Sequence, residues 1–139
     1  MLTKTVFTST ATTTGGRAGR TEAASGRVSH ALSRPTEMGG DGVGTNPEEL
    51  FACGYSACFG GTLEFLAKQK GIDIGQSVVT AHIAFGPDAA GGFGIGCKLE
   101  VSLPGIERSV AEELLHAAHQ NCPYSKAIRG NVEVEIVLR

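Results

Sequence analysis

The chain has no tryptophan, and its phenylalanines and tyrosines make up only 6% of 139 residues. Its core must therefore be mostly aliphatic, with a few well-placed rings. Cysteine is also scarce. Four irregularly spaced cysteines exclude the stapled scaffold of a small secreted domain. In a reducing compartment such residues are free thiols, metal ligands or redox centres. Neither sign of charge dominates: 12 basic and 14 acidic residues give a net charge of −2. No basic stripe marks a nucleic-acid surface. No apolar run comes near the roughly 20 residues of a membrane span. The opening Met1-Leu2-Thr3-Lys4-Thr5-Val6 lacks the apolar segment of a signal peptide. The expected location is the cytoplasm.

Glycine is plentiful, at twenty residues, and implies many tight turns. The length suits one domain, residues 1–139, able to bury about two-thirds of its unfolded surface. Residues 4–14 are rich in threonine and read as a strand, closed by the Gly15-Gly16-Arg17-Ala18-Gly19 turn. Shorter strands are expected over 20–24 and 27–33, followed by a glycine-rich loop from Arg34 to Thr45. Thr45 or Asn46 can cap a long helix that starts at Pro47, with Glu48 and Glu49 at the positive end of its dipole. That helix runs to Lys70, where Gly71 stops it. Its apolar face holds Leu50, Phe51, Tyr55, Cys58, Phe59, Thr62, Leu63 and Leu66, and its small residues admit another backbone. The pattern predicts a buried central helix.

Strands are predicted over 76–85 and 93–103. Ser109 and Glu112 form a capping box that opens a helix ending near Asn121, because Pro123 cannot continue it. One more turn is expected over 124–129. Val132, Val134, Ile136 and Leu138 alternate with Glu133 and Glu135 in a final strand. The order β-β-β-α-β-β-α-β defines an α+β domain.

Two cysteines stand in settings that suggest reversible thiol chemistry. Cys58 lies on the apolar helix face, and Cys122 at a helix end before Pro123. A cysteine on such a face is most often a small core residue, with a raised pKa and no reactivity. To act as a thiolate it needs a cation, and Arg17 is the leading candidate. Glu48 can hold that arginine, although plain helix-dipole complementation also explains a glutamate there. Glu48 and Cys58 are ten residues apart, roughly 15 Å along one helix. They share a site only if the helix breaks near Gly54 or two chains contribute. Cys53 lies about 140° around the helix from Cys58, and Cys97 sits in a strand, so both read as structural. His116, His119 and Cys122 invite a metal reading. Their directions drift around the helix and no further ligand closes a site, so neither metal nor cofactor is expected. A Cys-His hydrolase dyad has no oxyanion motif to support it.

The segments Gly15–Gly19, Gly44–Ala52, Gly54–Phe59 and Ala118–Ser125 together resemble the organic hydroperoxide resistance branch of the Ohr/OsmC family. The resemblance covers nearly the whole chain. It implies an OsmC/Ohr-like fold in an intertwined homodimer with two sites at the interface. It also implies that Cys58 is the peroxidatic thiolate, Cys122 the resolving thiol, Arg17 the activating cation and Glu48 its orienting carboxylate. The family reduces organic and fatty-acid hydroperoxides and is recycled by dihydrolipoamide or lipoylated proteins. This chain departs from the pattern in three places. Glu49 stands where the family has glutamine, Cys53 replaces an alanine, and the segment around Ser25-Gly26 is about one residue short. Phe51, Tyr55, Phe59 and Met38 are the expected slot for an alkyl chain. The competing readings are a non-catalytic redox sensor or small-molecule-binding protein on the same fold, and the OsmC branch.

Overall fold

The computed structural model describes residues 1–139. They form two compact units, Met1–Pro47 and Glu48–Arg139.

The first unit is an antiparallel sheet in the order β1 (Ala11–Thr14), β2 (Arg20–Ala23), β3 (Ser29–Ala31). β1 and β2 pair from Ala11↔Ala23 to Thr14↔Arg20. The turn between them contains a short 3-10 segment, Gly16–Ala18. Gly15 has φ +78°, and a Cβ on Gly19 would stand 1.7 Å from the Thr14 carbonyl oxygen. Only glycine fits at Gly19, so the turn presents Arg17 by backbone constraint. The strand expected over 4–14 forms only at its end. β2 turns away at Gly26, φ +73°, so earlier residues find no further partner strand beyond the Ala24 N–H to Thr10 carbonyl bond of 2.9 Å. Thr21 and Leu32 are the only buried side chains of this unit.

The second unit begins with α1 (Pro47–Gln69), followed by β4 (Val78–Pro87), β5 (Phe93–Ser102), α2 (Arg108–Asn121), α3 (Pro123–Ile128) and β6 (Val134–Leu138). β4 and β5 form a hairpin with ten paired positions, Val78↔Ser102 to Pro87↔Phe93. β6 runs parallel to β5, from Cys97↔Val134 to Val101↔Leu138. A parallel partner needs a crossover, which α2 and α3 supply. The core joins Tyr55, Phe59, Leu63 and Ala67 of α1 to Leu99 and Val101 of β5 and to Leu114 and Ala118 of α2. The α+β class and the predicted order hold, with the extra turn after Pro123 forming a six-residue helix.

Four expectations change. α1 is unbroken through Gly54, so a break there does not relieve the distance between Glu48 and Cys58. α1 is buried along one face only, and Phe65 on its other side is 59% exposed. By length and composition alone this helix is also apolar enough to cross a membrane, contrary to the reading of the sequence. Its seat against β5 and α2 explains the apolar content on one face. Finally, α2 is capped by Glu107, whose carboxylate accepts from the Ser109 and Val110 amides. Ser109 is thus inside the helix, because a carboxylate two residues earlier already satisfies the free N–H groups.

Candidate active site

Cys122 sits at a joint. Its amide donates to the Ala118 carbonyl at 2.8 Å, closing α2. Its own carbonyl accepts from the Lys126 amide at 2.9 Å, opening α3. Between the two helices its backbone is extended, with φ −58° and ψ 124°. Pro123 suits the first position of α3 because the amide it lacks would have had no helical partner. Tyr124 is then the first residue of α3 with a free amide, and that amide acts on the Cys58 sulfur in favour of thiolate. The Cys122 and Cys58 sulfurs are 3.4 Å apart, and both thiols are free. A disulfide bond is about 2.05 Å long, so the two sulfurs are adjacent but unjoined. Cys122 is fully buried and Cys58 half-buried.

Burial pushes the Cys58 thiol above its ordinary pKa, and the hydrogen bond and charge of Cys122 push it further in the same direction. The Tyr124 amide acts against them, since a donor to sulfur favours thiolate. Cys58 opens onto a groove of about 510 Å³ lined by Ala57, Gly61, Thr62, Phe65, Leu66, Gln69, Asn121 and Pro123. The groove walls are apolar side chains and methylene groups, with amide and hydroxyl groups at intervals.

The remaining predicted residues take varied positions. Phe51, Tyr55 and Tyr124 form an aromatic triangle with ring centroids 5.7 to 6.0 Å apart. Tyr55 and Phe59 have no exposed surface, and Phe59 belongs to the core. None of Phe51, Tyr55, Phe59 or Met38 lines the groove beside Cys58. In the first unit, Met38 ends a 3-10 turn, Thr36–Met38, and is exposed. Arg17 is half-buried in its glycine turn, and Glu48 is half-buried in the first turn of α1, with Glu49 exposed beside it. Cys53 is exposed, while Cys97 is buried on β5 with its thiol pushed up by burial. His119 and Cys122 face different partners, His119 bonding to Ser125 and Cys122 meeting Cys58.

One residue at this site was not singled out from the sequence, and a second plays a different part from the one expected of it. Ser125 is fully buried, and its hydroxyl lies 2.7 Å from the Tyr55 hydroxyl and 3.1 Å from His119 Nδ1. Gly54 allows the Tyr124 ring to approach, since a Cβ there would be 2.9 Å from the Tyr124 hydroxyl. A serine two residues after a helix-starting proline is the signal that could have revealed the first.

Comparisons with known proteins agree on one family. The family model described as OsmC-like protein matches residues 39–137. The organic hydroperoxide resistance protein OhrB of Bacillus subtilis is 42% identical over 134 residues, covering 96% of this chain and 98% of that protein. The organic hydroperoxide resistance protein of Xanthomonas axonopodis pv. citri is also 42% identical, over 97% of this chain and 96% of its own length. The crystal structure of the B. subtilis OhrB superposes with a TM-score of 0.90 at 43% identity, over 97% of this chain and all of that one. That of an organic hydroperoxide resistance protein from Elizabethkingia anophelis gives 0.92 at 41% identity, over 97% of each chain. This chain therefore belongs to the OsmC family, in its organic hydroperoxide resistance branch.

Proposed function

We propose that this protein is a thiol-dependent peroxidase, working as one OsmC/Ohr-like domain, that reduces organic hydroperoxides of the fatty-acid type to alcohols. The observation that carries this reading is the 3.4 Å approach of two free sulfurs, one fully buried and the other opening onto a groove. The naming of relatives as organic hydroperoxide resistance proteins supports the same substrate class.

In the cycle, the Cys58 thiolate attacks the terminal oxygen of ROOH. The O–O bond breaks, the alkoxide takes a proton and leaves as alcohol, and Cys58 becomes a sulfenic acid. Cys122 then attacks that sulfur, expelling water and forming the Cys58–Cys122 disulfide. An external dithiol, a dihydrolipoamide or a lipoylated protein, takes up the oxidising equivalents and restores both thiols. No cofactor or metal takes part. Because burial opposes the Cys58 thiolate, the first step needs a positive charge, and we assign that to Arg17, oriented by Glu48. The groove beside Cys58 supplies an apolar surface for the R group. Of the slot residues expected from the sequence, Phe51 and Met38 remain candidates, and the buried Phe59 and Tyr55 contribute shape from behind.

Stopped-flow oxidation by cumene hydroperoxide tests the cycle. Cys58→Ser is expected to abolish peroxide consumption, and Cys122→Ser to stop after one oxidation. Full activity in Cys58→Ser would overturn the mechanism. Repeated turnover with dihydrolipoamide separates a peroxidase from a stoichiometric redox sensor, which would form the disulfide once and stop.

A further inference from the structure

Behind the two sulfurs lies a second, buried polar chain. The Tyr55 hydroxyl meets Ser125 Oγ at 2.7 Å, and the same oxygen meets His119 Nδ1 at 3.1 Å. Tyr55 and Ser125 are both fully buried. Each member stands one helical turn from a reacting sulfur: Tyr55 three residues before Cys58, His119 three before Cys122, and Ser125 three after Cys122. The three residues come from α1, α2 and α3, the elements that carry the thiols and meet beside them.

Proton counting gives the chain a direction. A tyrosine or serine hydroxyl has one proton to donate, and a neutral histidine accepts through the nitrogen that carries none. With Nδ1 of His119 as acceptor, Tyr55 donates to Ser125 and Ser125 donates to His119. Both hydroxyl protons then have a partner, and no buried side-chain polar atom is left unbonded. Burial, followed by the charges of Arg129 and His116, favours this neutral imidazole.

We propose that Tyr55, Ser125 and His119 form a positioning network that holds the joint at Cys122 against Cys58 and so sets how readily the two sulfurs pair. The inference rests on the reading of these thiols as a redox pair. Disulfide formation must bring sulfurs 3.4 Å apart to about 2.05 Å with a defined torsion. Only one non-helical residue, Cys122 itself, separates α2 from α3. α3 is six residues long and contributes one fully buried side chain, Ser125. The Ser125 hydroxyl is therefore the buried polar tie that, beside the packing of Tyr124 on Phe51 and Tyr55, keeps α3, and Cys122 with it, from swinging away from α1.

The test is the equilibrium of the full-length protein with reduced and oxidised dithiothreitol, with the Cys58–Cys122 disulfide quantified by peptide mass mapping. Tyr55→Phe keeps the ring and removes the hydroxyl, Ser125→Ala removes the centre of the chain, and His119→Leu removes its end. Each is expected to lower the disulfide equilibrium constant about tenfold or more, as the loss of one buried hydrogen bond, or of both in Ser125→Ala, implies. His119→Asn keeps a polar group near the position of Nδ1 and is expected to recover most of the loss. A purely structural role would lower the melting temperature of reduced and oxidised protein alike and leave the constant unchanged. Constants within about twofold of wild type in Tyr55→Phe and Ser125→Ala would overturn the proposal. If Ser125→Ala does not fold, Tyr55→Phe decides. Exchange with dithiothreitol uses no peroxide, so failure of the peroxidase reading leaves this result standing. A wild-type protein that forms no such disulfide would overturn both.

Discussion

At Cys58 two opposing influences are visible. Burial and the neighbouring Cys122 favour thiol, and the Tyr124 amide favours thiolate. A single hydrogen bond to sulfur is weak beside the desolvation of a charge, so the assignment of Arg17 as the activating cation makes a definite prediction. In a Cys122→Ser background, Arg17→Ala is expected to raise the pKa of Cys58, read from the pH dependence of alkylation, by about 1 to 3 units. The rate of the first oxidation at neutral pH should fall about tenfold or more, in proportion to the lost thiolate. An unchanged alkylation profile would remove Arg17 from the site. His119 makes a second prediction. Its pKa is lowered in the folded chain, by burial first and then by Arg129 and His116. The folded state thus holds fewer protons on this residue than the unfolded state. Its stability contribution is complete above the ordinary histidine pKa of about 6.5 and is lost as pH falls through the lowered folded value. Urea unfolding of wild type and His119→Asn across that window should converge toward acid pH, because only wild type carries this dependence.

At the level of the elements, α1 and the joint between α2 and α3 carry the site, and they were unequally legible in the sequence. The helix starting at Pro47 was clear from its proline and acidic first turn, and the stop near Asn121 from Pro123. The meeting of Cys58 with Cys122 depends on packing between elements far apart in the chain, and spacing alone cannot supply it. Burial likewise could not be read from residue type. Phe59 and Phe65 are equally apolar, yet one has no exposed surface and the other is 59% exposed. Caps were legible only in kind, because serine and glutamate both satisfy free amides and the structure uses Glu107. Gly54 is an instructive case, since in the sequence it looked like a contact for another backbone and it receives the Tyr124 ring. Gly54→Ala would gain up to about 1 kcal/mol in helix propensity. A Cβ 2.9 Å from the Tyr124 hydroxyl and 3.1 Å from its ring costs about 1 to 3 kcal/mol when a packed neighbour must move. The net expectation is a less stable protein in thermal melts.

For the whole molecule, the reach of α1 sets the main constraint. Glu48 and Cys58 lie on one continuous helix, ten residues and roughly 15 Å apart. If Glu48 orients the cation at Cys58, as proposed, the length of the helix assigns that glutamate to a second chain. Two further features fit a paired assembly. The β1–β2–β3 unit buries only Thr21 and Leu32, less than a three-stranded sheet needs to be stable alone. Phe65, 59% exposed, lines the open groove beside Cys58 and leaves apolar surface there for a second chain to cover. Subunit mixing separates the two arrangements. Glu48→Ala and Cys58→Ser are each expected to be nearly inactive as pure proteins. Unfolded together and refolded, half of the resulting dimers are mixed. If each site combines Cys58 of one chain with Glu48 of the other, every mixed dimer keeps one intact site. Peroxidase activity then returns to about a quarter of the wild-type value. If Cys58 works with Glu48 of its own chain, the mixture stays as inactive as its components. Size-exclusion chromatography of differently tagged chains confirms that mixed dimers formed, so an inactive mixture would rule out the shared site.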